Sequence, residues 1–375
     1  MLVNIDESIL DAYDEDKNKF KSGLHHVVNA HFNKKHFVYI TPKLFRNLKE
    51  SNHILWNGFL NDELITKIEQ ISNQSILMSG VKQSVCMHIN IYFNKISSPT
   101  TDVDPVTDAV TTWKYSINSN LEWLTNATVI YGENIEDTSV FEVIARAKAI
   151  RDGLKRNNVK FRKESTGGCG EVPKIVATRS SDPQELKSVC FIVADSDNKH
   201  PKEDTHRLLK ECRRNLQDYN LNAPLRLHIL TSREIENIIP IELLHLSLGN
   251  NADQSIKAAL PIIDLFQKKH PEHYKYIDIK KGTCTVKVTS EKKCQVFFKD
   301  VKSKITPPCS EQGHNDCVVI TPKLCEKTLS HLMQYMSNLG EAKLSKLKLQ
   351  NNVDEWLQLE ALLYSMALCN DAQLV

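Results

Sequence analysis

Several features are missing from this sequence of 375 residues, and each absence excludes a class of protein. No run of about 18 apolar residues occurs, which excludes a transmembrane helix, so we expect no membrane partner. The first residues lack a basic segment followed by an apolar core, so we expect no secretory signal peptide. Ten cysteines are present without the spacing of a disulfide framework, and Cys86, Cys190 and Cys369 lie inside apolar runs. These absences predict a protein of the reducing cytoplasm.

Strong net charge and a nucleotide-binding loop are also missing. The net charge is only +2, so any basic surface that binds nucleic acid has to be local. The motif Gly-x-x-x-x-Gly-Lys-Ser/Thr does not occur, which excludes a P-loop ATPase within these residues. The composition, 41% hydrophobic and 25% charged, is that of an ordinary globular protein long enough for two or three domains.

The most informative stretch that is present covers residues 189–197, Val-Cys-Phe-Ile-Val-Ala-Asp-Ser-Asp. The apolar run at 189–193 predicts a strand buried on both faces of a parallel sheet. Asp195 and Asp197 follow it, at the edge where open α/β sheets bind ligands. Two neighbouring carboxylates repel each other unless a cation such as Mg²⁺ lies between them. The alternative is a solvated turn, because Asp-Ser-Asp-Asn is also typical turn chemistry.

Further strands and helices alternate around this stretch. Residues 127–131, 159–161 and 225–230 are predicted strands, and residues 137–155 form a predicted helix with apolar positions at helical spacing. Glu133 follows the first strand, and Thr-Gly-Gly-Cys-Gly-Glu at 166–171 follows the second. This order predicts an α/β fold, Rossmann-like, with a mainly parallel sheet.

The arrangement strand–Glu, strand–Gly-Gly, strand–Asp-x-Asp resembles the TOPRIM fold of topoisomerases, bacterial primases and nucleases of the OLD (overcoming lysogenization defect) family. The signature acids would be Glu133, Asp195 and Asp197. Residues 233–237, Arg-Glu-Ile-Glu-Asn, are similar to a block of OLD-type and related phage-defence TOPRIM proteins in which a glutamate helps to bind metal. By position this is Glu236, with Glu234 second. The alternative is that both acids only stabilise a helix N-terminus.

The resemblance covers about residues 127–245 and implies a metal-dependent nuclease. The acids would hold Mg²⁺ or Mn²⁺, which supports phosphodiester hydrolysis. Lys280 and Lys281, in a segment that also looks like the defence proteins, would stabilise charge on the phosphate, unless they form a solvated pair. Because the ATPase of full OLD proteins is missing, the resemblance implies a separate ATPase or sensor subunit and a role as effector in bacterial anti-phage defence.

A local basic cluster offers contacts for DNA or RNA. It spans residues 151–163, from the end of the predicted helix, and Lys199 is a separate candidate shortly after the paired aspartates. Backbone phosphates bind such clusters, although a solvated helix end is the alternative. The residues expected to bind nucleic acid are Arg156, Lys160, Arg162, Lys163 and Lys199.

The chain divides by pattern into three regions. Residues 1–125 predict a small α/β domain, with strands at 2–5, 36–40 and 85–93 and helices at 60–71 and 108–124. Residues 126–245 form the TOPRIM-like catalytic domain. Residues 246–375 form a helix-rich region whose last helix, 356–368, is apolar enough for core packing or a homo-oligomer contact.

Two further sets of residues are candidates for a metal site. The N-terminal domain resembles PIN-type nucleases in having an acid after its first strand, and its candidate acids are Asp6, Glu63, Asp102 and Asp104. We expect a structural or recognition role for this domain instead. Cys309, His314, Cys317 and Cys325 do not have the paired spacing of structural zinc sites.

Two functions besides a nuclease are compatible with these residues. A TOPRIM fold also serves as a non-catalytic binding or assembly module in nucleic-acid-processing complexes. Paired acids also occur in response-regulator-like phosphoacceptors, a scheme in which the block at 233–237 has no role. Convergence of Glu133, Asp195 and Asp197 on one cation would favour the nuclease.

Overall fold

The computed structural model describes residues 1–11, 17–50, 60–94, 99–103, 110–181, 187–203, 209, 211–212, 216, 224–249, 253–289, 292–301, 317–345 and 354–370. These residues form an α/β structure whose two larger sheets are mainly parallel, which confirms the predicted fold class at that level. None of the described helices has both the length and the apolarity needed to cross a membrane.

Strands and helices alternate along most of the chain. The strands are β1 Leu2–Ile5, β2 Phe37–Tyr39, β3 His88–Tyr92, β4 Thr100–Val103, β5 Val110–Ser116, β6 Val129–Gly132, β7 Arg162–Ser165, β8 Cys190–Ala194, β9 Leu225–Ile229, β10 Thr283–Cys284 and β11 Val319–Thr321. The helices are α1 Lys17–Phe32, α2 Pro42–Glu50, α3 Asp62–Leu77, α4 Ser79–Ser84, α5 Ile135–Arg151, α6 Val172–Ser181, α7 Ile241–Leu248, α8 Gln254–Lys269, α9 Pro271–Tyr274, α10 Thr285–Thr289, α11 Lys292–Phe298, α12 Thr328–Asn338, α13 Glu341–Ser345 and α14 Asp354–Ala367.

The N-terminal sheet has the strand order β2-β1-β3-β5-β4, and only the edge strand β4 is antiparallel to its neighbour. The predicted helix at 108–124 is wrong, because β5 occupies its first half. Trp113 and Tyr115 are buried, whereas Lys114 between them is half-buried. The β-branched and aromatic residues of Val110–Ser116 favour a strand over a helix.

The second sheet has the order β7-β6-β8-β9, and all four strands are parallel. All five residues of β8 are buried, as predicted for a central strand covered on both faces. The predicted strand at 159–161 is displaced, because β7 begins only at Arg162. Its sequence Arg-Lys-Glu-Ser is polar, as an exposed edge strand allows, so the apolar residue Val159 is a misleading signal.

The last helix completes the core around the second sheet. α14 packs against α5, with Leu359 and Leu363 fully buried. Arg151 of α5 forms an ion pair with Glu360 of α14. Residues of the predicted C-terminal region therefore cover a helix of the predicted catalytic domain.

Candidate active site

Acidic residues follow three neighbouring strands at one edge of the second sheet. Glu133 follows β6, Asp195 follows β8, and the block with Glu234 and Glu236 follows β9. β8 pairs in parallel with both β6 and β9, so the carboxyl ends of the three strands lie at the same edge. The topology thus brings together acids that are about a hundred residues apart in the chain.

Asp195 lies at the centre of this acidic edge. Its side chain is buried, and burial is the largest cause that raises its pKa well above the ordinary value. The negative charges of Glu236, Asp137, Glu133 and Glu234 raise the pKa further. The four carboxyl groups therefore act electrostatically on Asp195 from the same edge of the sheet.

Asp197 is exposed and holds the turn after β8 in an unusual conformation. Its φ is 55°, in the left-handed region, which aspartate tolerates better than most residues. Its backbone N–H donates to the carbonyl of Arg233 at 2.9 Å. The Ser196 hydroxyl donates to the carbonyl of Ser232 at 2.7 Å. The two acid-bearing loops, after β8 and after β9, are therefore hydrogen-bonded to each other.

Lys280 provides a positive charge at the acidic edge. Its Nζ lies 3.1 Å from Oε1 of Glu236 and 3.7 Å from Oε2 of Glu234. Burial raises the pKa of Glu236 to about 7, although the Lys280 charge acts in the opposite direction. Burial alone would lower the pKa of Lys280, but the two carboxylates outweigh it and the pKa is raised. The lysine therefore stays charged while the cluster carries fewer negative charges than it has carboxyl groups.

Polar residues after β9 also position the segment that carries Lys280. The side-chain amide of Asn237 donates to the carbonyls of Tyr274 and Ile277, at 2.8 and 3.0 Å. The Arg233 guanidinium pairs with Asp278 at 3.3 Å. These bonds fix the segment that leads to Lys280 against the short helix Ile235–Ile238.

The other predicted lysines are placed differently. Lys281 is exposed, and its backbone N–H donates to Oδ1 of Asp278 at 2.7 Å, while Lys280 makes the contacts with the glutamates. Lys199 is half-buried two residues beyond Asp197, at the acidic edge. Both remain predicted contacts for phosphate.

The glycine-rich segment packs against the backbone next to Glu133. The N–H of Gly167 donates to the Glu133 carbonyl at 3.1 Å, and the Ser165 hydroxyl donates to the same carbonyl at 2.7 Å. Gly132 precedes Glu133, and a Cβ there would lie 2.8 Å from the Cβ of Asp137. A side chain at position 132 would therefore push α5 away from the end of β6.

Two residues near the acids were missed by the sequence prediction. Asp137 is buried, accepts a hydrogen bond from the N–H of Asn134 at 2.9 Å, and has a pKa raised by burial. The spacing Asn-x-x-Asp of a capping box could have indicated it. Cys169 lies beside Asp195, with its thiol 3.5 Å from that residue's carbonyl oxygen, and no sequence pattern marks it.

The remaining predicted nucleic-acid contacts lie away from the acids. Arg162 is level with the start of β6, about 10 Å from the acidic edge across a four-residue strand. Arg156 binds the C-terminal region through the carbonyls of Leu339 and Ser337. Lys163 pairs with Glu142 of α5, and Lys160 is exposed. Whether these residues bind nucleic acid stays a prediction.

The acids of the N-terminal domain are engaged separately. Asp6 accepts hydrogen bonds from the N–H of Ser8 and the side chain of Asn90, which help to lower its pKa against the opposing effect of burial. Glu63 pairs with a lysine of its own helix, and Asp102 pairs with Lys114. Asp104, Cys309 and His314 lie outside the described residues.

The acidic edge fits a hard divalent cation in its donor chemistry. The side chains offer carboxylate oxygens, and Oε2 of both Glu234 and Glu236 is buried without a hydrogen-bond partner. Across the described part of the chain, however, no three His, Cys, Asp or Glu side chains stand close enough to hold an ion as they are. An ion would therefore have to draw the carboxylates together.

Comparison with protein-family models, with curated proteins and with solved structures found no match to this chain.

Proposed function

We propose that this protein is a nuclease dependent on Mg²⁺ or Mn²⁺, built on a TOPRIM-like form of the α/β fold. The observation that supports this most is that Glu133, Glu234 and Glu236 follow the two strands that flank β8, at the carboxyl edge where the buried Asp195 lies, and that their charges raise the pKa of Asp195. Ligands of open α/β sheets bind at this edge. Carboxyl groups with raised pKa values at such an edge are candidates for a functional site.

The proposed chemistry is hydrolysis of a phosphodiester bond. A bound divalent ion would supply an activated water and stabilise the leaving oxygen. Asp195, Glu133 and Glu236 would hold the ion, with Asp197 exposed beside them. The charged ammonium of Lys280 is placed to bind a phosphate oxygen once ion binding frees it from Glu236.

We further propose that the protein is a cytoplasmic effector of a bacterial anti-phage system. A nuclease with a complete acid set would damage its host, so its activity has to be restrained. The P-loop motif is missing from these residues, which supports a separate ATPase or sensor as the restraining partner.

The test compares the parent with Glu133→Ala, Asp195→Ala and Glu236→Ala on duplex DNA, single-stranded DNA, tRNA and other RNA, with Mg²⁺ or Mn²⁺. Glu63→Ala is the matched control, because Glu63 is an exposed acid at the start of α3. The parent and the control should cleave at least one substrate, and the other three should not. Cleavage by Asp195→Ala at the parental rate would refute the proposal.

A non-catalytic binding module is the second candidate. Two observations favour it. Among the described residues, no three acidic side chains stand close enough to bind one ion, and Lys280 forms an ion pair with Glu236. In that case the parent would bind nucleic acid equally well with EDTA and with Mg²⁺, and would cleave none of the substrates.

A further inference from the structure

A carboxylate from the last helix binds the loop that carries the acids after β9. Glu355, in the first turn of α14, is 7% exposed. It accepts hydrogen bonds from the N–H groups of Thr231 and Ser232, the latter at 3.2 and 3.1 Å from its two oxygens. The Ser232 hydroxyl is a further donor. Hydrogen bonds to a charged acceptor in a buried place are stronger than neutral ones, so this contact holds the loop firmly.

The loop held by Glu355 is the junction between the other parts of the site. The carbonyls of Ser232 and Arg233 accept the bonds from Ser196 and Asp197 that join the loops after β8 and β9. The Arg233 N–H donates to the carbonyl of Lys275 at 2.8 Å, at the start of the segment that carries Lys280. A shift at Ser232 would therefore move these groups relative to one another.

We propose that Glu355 is a positioning residue of the candidate active site, which sets the places of Glu234 and Glu236 relative to Asp195. This inference deepens the proposed nuclease function, which supplies the role of those acids. Glu355 binds the backbone N–H groups of Thr231 and Ser232 and the Ser232 hydroxyl, and through these groups it would act on the site.

The first test is hydrogen–deuterium exchange of the metal-free full-length protein. In Glu355→Gln, an amide NH2 group replaces one of the oxygens that accept from the N–H groups of Thr231 and Ser232. Because a donor then faces a donor, the loop should open more often, and hydrogen exchange at residues 231–237 should become about tenfold faster. Glu360→Gln is the matched control, because Glu360 is also buried on α14 but pairs with Arg151 of α5. Exchange at 231–237 in the control should equal that of the parent.

The second readout is the affinity for Mn²⁺ alone, measured by electron paramagnetic resonance without nucleic acid. Loss of a supporting contact around a metal site weakens metal affinity about tenfold or more, so the Kd of Glu355→Gln should rise by that factor while Glu360→Gln matches the parent. Ser232→Ala, which removes only the hydroxyl donor, should change both readouts in the same direction by less. If Glu355→Gln does not fold, the two measurements on Ser232→Ala test the inference instead.

Two results would overturn the inference. One is unchanged exchange at 231–237 in both Glu355→Gln and Ser232→Ala. The other is equal acceleration there in Glu355→Gln and Glu360→Gln, which would show that Glu355 only stabilises α14. If the parent binds no Mn²⁺ and cleaves nothing, the proposed function fails, whereas the exchange experiment still decides whether Glu355 positions the loop.

Discussion

The pH dependence of stability offers a direct test of the buried acidic edge. Glu236 is only 1% exposed, and burial raises its pKa from the ordinary 4.5 to about 7. At about 1.4 kcal/mol per pH unit, ionising Glu236 in the folded protein costs about 3 kcal/mol. The folded protein holds this proton more tightly than the unfolded chain does. The stability that the proton provides is complete below about pH 4.5 and is lost as the pH rises through about 7.

The measurement is urea unfolding of metal-free protein from about pH 5 to about pH 8, with Glu236→Gln beside the parent. The variant has no proton to lose, so its advantage over the parent should grow from about 1 kcal/mol at pH 5 to about 3 kcal/mol at pH 8, a difference that already includes the attraction of Lys280 for ionised Glu236. The exposed Glu63→Gln should follow the parent. Equal pH profiles for Glu236→Gln and the parent would refute the placement of Glu236 in a buried acidic cluster.

Three further predictions concern metal, backbone and basic residues. Mn²⁺ at about a hundred times its Kd should stabilise the parent by about 2.7 kcal/mol in a thermal melt, and Asp195→Asn combined with Asp197→Asn should abolish this gain; an equal gain would place the ion elsewhere. Gly132→Ala should lower the free energy of unfolding by about 1–3 kcal/mol, because its Cβ meets α5, whereas Gly170→Ala, with no atom within 4 Å of the added Cβ, should not. Arg156→Ala should lower the free energy of unfolding by about 1–3 kcal/mol in urea, since its guanidinium donates to carbonyls of the C-terminal region; unchanged stability would contradict this.

The second sheet was predictable because its signals are local. The apolar run of β8 indicates a buried parallel strand, and parallel strands place their following residues at one edge, which brings Glu133 near Asp195. A short motif predicted a lysine near the acids, Lys280 or Lys281, and in the structure Lys280 pairs with Glu236.

The parts that were not predicted depend on contacts distant in sequence. Glu355 lies 123 residues from Ser232, and an acid in the first turn of a helix has a sufficient local explanation in the helix dipole. The strand β5 was mistaken for a helix because its neighbours, and not its own composition alone, decide its conformation. The hydrogen bonds of Arg156 to the carbonyls of Ser337 and Leu339 were not predicted, because these partners lie about 180 positions later in the chain.

The position of α14 along the chain has a consequence for the order of folding during synthesis. Its first turn holds the loop after β9, and near its other end Ser365 accepts a hydrogen bond from the N–H of Cys86. Chains fold from the N-terminus as they leave the ribosome, and α14 follows every other described element. The acid-bearing loop consequently lacks its anchor until this helix has been made. A nascent chain with the two larger sheets formed would still lack the carboxylate that binds the backbone of Thr231 and Ser232.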